Sequence, residues 1–157
     1  VTLAEKILQE AVAKGLTITT AESCTGGMVA AAITDIAGSS AIFERGFVTY
    51  SNLAKQDMLA VRMQTLESFG AVSEPVAQEM ALGARNAAHA DIAVAISGIA
   101  GPGGSEFKPE GRVCFATVTA TDSFVETIEY GAPGRSEVRA AARDHALSLI
   151  LKAIQAA

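Results

Sequence analysis

Residues 20–27, TAESCTGG, place a serine, a cysteine, a threonine and two glycines at the point where an apolar strand gives way to a helix. A serine at such a junction has two uses. Its hydroxyl can cap the helix, or, once a base removes its proton, Ser23 can attack an electrophilic carbon. Pattern alone makes the cap the default reading. The glycines add a second possibility. They let the backbone N–H groups of Thr25, Gly26 and Gly27 approach a ligand closely. A helix N-terminus contributes further unpaired N–H groups and a partial positive charge. Such a turn can hold a phosphate or the oxyanion of an acyl transfer.

A second glycine-rich turn, SGIAGPGG, covers residues 97–104 and follows the apolar run DIAVAI. Its candidates for ligand contact are Ser97, Gly98, Gly101, Gly103 and Gly104. In open α/β sheets, ligands bind beyond the carboxyl ends of the strands, so both turns can face one pocket. Neither is a P-loop, because no Lys-Ser/Thr follows, and neither is a G-x-G-x-x-G that opens a helix. A purely structural turn stays open as a reading of the second.

An attacking serine needs a base. His89 falls near an expected helix end and His145 in the last helix, neither well placed for a triad. No G-x-S-x-G or S-x-x-K surrounds Ser23, which leaves a lysine distant in sequence. Lys6, Lys14 and Lys152 belong to terminal helices and read as solvated. Lys55 follows VTYSNLA, just past a strand, and could share a sheet edge with Ser23. To act as a base it must be neutral, with its pKa lowered from about 10.4 towards 7–8 by burial or a neighbouring cation. A surface lysine on a short helix is the plain alternative. Tyr50 could hydrogen-bond the pair, shape the pocket, or simply be an aromatic strand residue. Cys24 is the rival nucleophile, since a thiol at a helix N-terminus can ionise. The lack of a histidine partner favours a structural role for it.

These residues need a scaffold. Thr2-Leu3-Ala4-Glu5 reads as a capping box. Leu3, Ile7, Leu8, Ala11 and Val12 recur at helical spacing, and Gly15 can end that helix. Strands are expected at 16–20 and 41–51, the second with Gly46 as a bulge. Helices are expected at 28–36, 52–59 and from Ser73 to about Ala88, the last with Pro75 in its first turn. Residues 91–98 read as a central strand and 99–111 as the longest loop. Strands at 112–120 and 123–131 meet in a turn near Thr121-Asp122. A final helix covers 135–153, with Val138, Ala142, Ala146, Leu149 and Ile150 on one face. Alternating elements followed by a hairpin give an α/β class: a three-layer α/β/α domain around a mixed sheet, one domain over residues 1–157.

Bulk composition narrows the function classes. The 157 residues carry a net charge of -5 and no Lys/Arg cluster, which argues against a nucleic-acid partner. Two cysteines fit a reduced compartment, so a cytoplasmic location is expected. The histidine spacing gives no support for a metal. No apolar run reaches membrane-spanning length, and no signal-peptide pattern opens the chain. It begins at Val1, which suggests processing or a longer product.

In this order, TAESCTGG, GFVTYSNLAK, ISGIAGPGG, KPEG and GRSEVRAAARDHAL resemble the CinA C-terminal domain family, the PncC-type nicotinamide-nucleotide amidases. The resemblance covers essentially the whole chain. It implies a homo-oligomer that hydrolyses nicotinamide mononucleotide to nicotinate mononucleotide and ammonia, in pyridine-nucleotide salvage and without a cofactor. It also implies a serine-lysine pair, Ser23 and Lys55, with Tyr50 in the pocket. Arg135 or Arg139 could pair with the phosphate, since a guanidinium suits that geometry, or be solvated residues at a helix start. Two positions depart from the family pattern. Arg112 follows the KPEG motif where a threonine is common, and Gly134 stands where an acidic residue often precedes Arg135. The family module also occurs behind a larger domain with a pyrophosphatase-type activity, which is not carried over. A non-catalytic nucleotide-binding or interaction module, linked to competence or damage response, is the alternative reading. A cysteine hydrolase built on Cys24 is a third.

Overall fold

The computed structural model describes residues 1–105 and 107–157. Glu106, inside the expected 99–111 loop, lies outside the described residues. The chain runs α1 (Leu3–Lys14), β1 (Ile18–Glu22), α2 (Met28–Thr34), a 3₁₀ turn (Ser39–Ala41), β2 (Phe47–Val48), α3 (Asn52–Leu59) and α4 (Met63–Phe69). It continues through α5 (Glu74–Ala88), β3 (Ile92–Gly98), β4 (Arg112–Val118), β5 (Ser123–Glu129) and α6 (Arg135–Ala156). The strands form one mixed sheet in the order β2-β1-β3-β4-β5. The first three are parallel, and β4 and β5 are antiparallel.

Alternation along β3 explains the layering. Ile92, Val94 and Ile96 point to one face and pack with Ile7, Val29, Val138 and Ile150 from α1, α2 and α6. Ala93 and Ala95 point to the other, against Ala77, Met80, Ala81 and Ala84 of α5. Small residues on both sides of that contact let α5 lie close to the sheet. The two faces give the expected α/β/α arrangement.

The caps follow local chemistry. The Glu5 N–H donates to the Thr2 hydroxyl at 3.1 Å, and Gly15 closes α1 in the left-handed conformation. Ser51 caps α3 and Ser73 caps α5 through their hydroxyls. Asn52–Leu59 matches its expected bounds.

Three differences have physical causes. β1 starts and ends two residues later than the expected 16–20, so it delivers the chain directly to Ser23. The expected strand at 41–51 is reduced to Phe47–Val48. Its start pairs with β1 through one bridge, Phe43 with Ile18, and ladder pairing resumes beyond Gly46. A Cβ on Gly46 would lie 2.6 Å from the Thr20 hydroxyl, so Gly46 admits a side chain of β1 rather than forming a bulge. Finally, α4 was not expected. Its exposed residues include Met63 and Phe69, its buried ones Thr65 and Leu66, so no apolar stripe announces it. Val12, expected on the buried face of α1, is exposed.

One close approach sets the position of α3. A Cβ on Gly83 of α5 would fall 1.8 Å from the Leu59 carbonyl oxygen at the end of α3. Alanine normally stabilises a helix interior by about 1 kcal/mol over glycine. Here Gly83→Ala is expected to destabilise by about 2 kcal/mol or more through overpacking, as read by chemical denaturation, because α3 must move.

Candidate active site

The site lies at the carboxyl ends of β1 and β3. The Ser23 N–H donates to the Ile96 carbonyl at 2.9 Å, which ties the end of β1 to β3. The turn then closes through a bond from the Gly26 N–H to the Ser23 carbonyl, 3.0 Å. Gly26 and Gly27 both have positive φ, 57° and 106°, a region costly for residues with a Cβ. On the other side of β1, the Thr49 N–H donates to the Glu22 carbonyl at 2.8 Å. Ser51 then starts α3, and Lys55 falls one turn in.

This geometry brings Lys55 to Ser23. The Lys55 Nζ donates to the Ser23 Oγ at 3.1 Å, to the Thr49 carbonyl at 2.8 Å and to the Tyr50 carbonyl at 3.4 Å. Its side chain is 1% exposed. Among the described residues no carboxylate pairs with it. Burial therefore dominates and lowers the Lys55 pKa from its usual range to about 8. An amine that titrates there is a competent base for a hydroxyl within hydrogen-bond reach.

Glu22 is a residue that sequence reasoning left without a role. It is fully buried, and its carboxylate accepts from the N–H groups of Gly27 (3.2 Å), Val29 (2.9 Å) and Ala30 (3.0 Å). It caps α2 in place of an N-cap side chain, which Gly27 lacks. The available signal was an acidic residue just upstream of a helix whose cap position is glycine. The consequence is specific: the N–H groups of Gly26 and Gly27 are occupied. Among the described residues, those of Cys24 and Thr25 donate to no oxygen. Buried N–H groups without partners are rare, and both residues are buried.

A cavity of about 220 Å³ opens onto Ser23, lined also by Lys55, Tyr50, Ala71, Ser97 and Arg135. Ser97 donates its hydroxyl to the Ala71 carbonyl at 2.8 Å, and Lys108 donates to the Phe69 and Val72 carbonyls. These bonds hold the 69–72 wall, which sequence reasoning did not include. Gly98 and Ala100 line the cavity from the glycine-rich turn. Gly101, Gly103 and Gly104 instead fold that turn on itself. Gly103 donates to Glu110, Gly101 leaves room for the same carboxylate, and a Cβ on Gly104 would meet the Lys108 carbonyl at 2.4 Å.

Tyr50 and Arg135 come together, and Arg139 separates from them. The Tyr50 hydroxyl accepts from Arg135 Nη2 at 3.0 Å, away from the Ser23–Lys55 pair, and Arg135 Nη1 also donates to the Gly101 carbonyl at 2.7 Å. Arg139 points to the nucleophile turn, donating to the carbonyls of Cys24 (3.0 Å) and Thr25 (3.3 Å). Cys24 is buried, and burial pushes its thiol up to about 11, which keeps the thiolate scarce. His145 bonds Glu126 and packs edge-on against Phe115, and His89 ends α5, so neither lines the cavity. A larger cavity of about 520 Å³, walled by Leu16, Ile92, Phe124 and Leu149, lies at the opposite end of β3, and neither Ser23 nor Lys55 lines it. No described helix is long and apolar enough to cross a membrane.

The model of the CinA C-terminal domain matches residues 1–154. The chain belongs to this family. Among its relatives, the nicotinamide-nucleotide amidohydrolase PncC of Escherichia coli (strain K12) is 58% identical over 149 residues, covering 94% of this chain and 90% of the relative. A putative competence-damage inducible protein of Caldicellulosiruptor saccharolyticus is 44% identical over 155 residues, 98% of this chain but 37% of that longer protein. In structure, the competence/damage inducible protein CihA from Agrobacterium tumefaciens superposes with a TM-score of 0.93 at 48% identity, covering 98% of this chain and 93% of that one. A CinA superfamily protein from Klebsiella pneumoniae gives 0.94 at 38% identity, covering 99% and 97%. The family fold is thus shared over the whole sheet and both helical layers.

The buried lysine has a thermodynamic signature. Its folded pKa, about 8, lies below its unfolded value near 10.4. Between these values the unfolded chain binds more protons, so this residue makes stability rise with pH across that window. Below about pH 8 its burial is a constant penalty. The stability of Lys55→Met relative to wild type is expected to fall by about 3 kcal/mol between pH 7 and pH 10.5. Paired urea titrations measure this, and a pH-independent difference would contradict a depressed lysine.

Proposed function

We propose that this chain is a nicotinamide-nucleotide amidohydrolase that converts nicotinamide mononucleotide and water to nicotinate mononucleotide and ammonia. The observation that carries the reading is the 3.1 Å contact between the Lys55 Nζ and the Ser23 Oγ, with the lysine buried and no carboxylate pairing with it among the described residues. A nucleotide-binding module has no use for a buried amine whose pKa is lowered to about 8. The names of the PncC relatives supply the substrate.

The chemistry follows from the positions. Neutral Lys55 takes the Ser23 proton as Oγ attacks the carboxamide carbon. The carbonyl oxygen becomes an oxyanion, held by the free N–H groups of Cys24 and Thr25. Protonated Lys55 then gives its proton to the departing nitrogen, and ammonia leaves. The Thr49 and Tyr50 carbonyls keep Nζ aimed at Ser23 while its charge changes. Water enters, loses a proton to Lys55 and attacks the acyl carbon. Ser23 leaves, reprotonated by Lys55, and nicotinate mononucleotide is released. Arg135, at the cavity mouth, is the guanidinium for the phosphate. Tyr50 shapes the same rim.

The wider setting is part of the same reading. The enzyme works in pyridine-nucleotide salvage, in the cytoplasm, as a homo-oligomer and without a cofactor or nucleic-acid partner. The family resemblance and the net charge of -5 support these points.

The test is ammonia release from nicotinamide mononucleotide by folded protein. Ser23→Ala and Lys55→Met are each expected to lower kcat by about a thousandfold or more, since nucleophile and base act as a unit. Activity surviving Ser23→Ala would move the nucleophile elsewhere. Nucleotide binding without turnover by wild type would favour a binding module. Wild-type kcat is also expected to rise through pH 8 or so as Lys55 loses its proton, and a profile flat from pH 6 to 9 would count against lysine as base.

A further inference from the structure

Arg139 lies one helical turn beyond Arg135 on α6, yet it does not line the cavity. Its Nε donates to the Cys24 carbonyl and its Nη2 to the Thr25 carbonyl. Each carbonyl shares a peptide unit with the N–H of the next residue. The Cys24 carbonyl belongs with the Thr25 N–H, which donates to no oxygen among the described residues. The Thr25 carbonyl belongs with the Gly26 N–H, which closes the turn onto the Ser23 carbonyl. A cation donating to a carbonyl polarises its peptide unit and strengthens the N–H on the other side. One bond from Arg139 therefore sharpens a free donor beside the nucleophile. The other tightens the bond that holds the nucleophile in place.

The turn is built to receive this guanidinium. A Cβ on Gly26 would come within 3.3 Å of Arg139 Nη2, so glycine serves there both for its positive φ and for the close approach of the arginine. The helix is fixed beneath it by Val138 and Ala142, both fully buried. From the opposite side, Glu22 occupies the N–H groups of Gly27, Val29 and Ala30. The donors left over are those of Cys24 and Thr25.

We propose that Arg139 is a positioning residue for the oxyanion site, acting through the Cys24–Thr25 peptide unit, and not a ligand of the substrate phosphate. This rests on the amidase reading. The transition state gains from a polarised Thr25 N–H more than the ground-state amide does, so the loss falls on kcat.

The test compares wild type, Arg139→Met and Arg139→Lys in ammonia release from nicotinamide mononucleotide, with thermal midpoints measured alongside. Arg139→Met is expected to lower kcat by about 10- to 100-fold with KM changed less than about threefold. Arg139→Lys, which keeps a donor for one carbonyl, is expected to recover part of the loss, and the pH of half-maximal activity stays put. A raised KM at unchanged kcat would make Arg139 a substrate ligand and overturn the proposal. So would unchanged kinetics in Arg139→Met. If Arg139→Met does not fold, Arg139→Lys alone decides, by whether its loss is in kcat or in KM. Wild-type protein that releases no ammonia removes the amidase reading and this proposal together, whereas an active wild type with unaffected variants removes the proposal alone.

Discussion

A buried lysine amine with which no carboxylate pairs among the described residues is a constraint to which much of this architecture answers. Lys55 is buried among a hydroxyl and two backbone carbonyls, which satisfy its hydrogen bonds without supplying a full negative charge. A carboxylate in their place would stabilise the ammonium and raise its pKa out of the range that the proposed mechanism needs. The fold keeps such groups elsewhere. Glu22, the nearest in sequence to the nucleophile, spends its charge on the first turn of α2. Around the pair, the described partners bond Lys55 without neutralising it, and Glu22 is engaged by backbone N–H groups.

Much of the scaffold was legible in the chain because it is encoded locally. Thr2, Ser73 and Gly15 each mark a helix end by their own chemistry, and the alternation of isoleucine or valine with alanine in 92–96 marks a central strand with unequal faces. Residues 41–51 misled because their aromatic and β-branched residues describe one strand, which is interrupted where Gly46 admits the Thr20 side chain. α4 went unseen because it buries threonine and leucine while exposing methionine and phenylalanine.

The site was legible as a set of residue types and not as an arrangement. Ser23 and Lys55 are separated by 32 positions, and what joins them is the pairing of β1 with β2 followed by a capped helix. The division of labour between Arg135 and Arg139 lay beyond sequence reasoning altogether. They are four residues apart on one helix, identical in type, and distinguished only by what each reaches. Glu22 stood inside the most conspicuous motif and still escaped, because a buried carboxylate serving backbone N–H groups leaves no pairing cation to betray it.

The modest volume behind Ser23 has a consequence for how such enzymes diverge. At about 220 Å³ the cavity is smaller than those that enclose whole drug-sized ligands. On the proposed reading a ring and its amide would occupy the interior, with a sugar phosphate at the mouth near Tyr50 and Arg135. Reactivity and recognition are thereby written on separate stretches of chain. The interior belongs to strand ends and a short helix that the core holds rigid. The rim belongs to exposed side chains and an extended loop, where substitutions are cheap. A lineage could exchange one class of aromatic amide for another by editing the mouth alone, while the reacting pair passes from ancestor to descendant untouched.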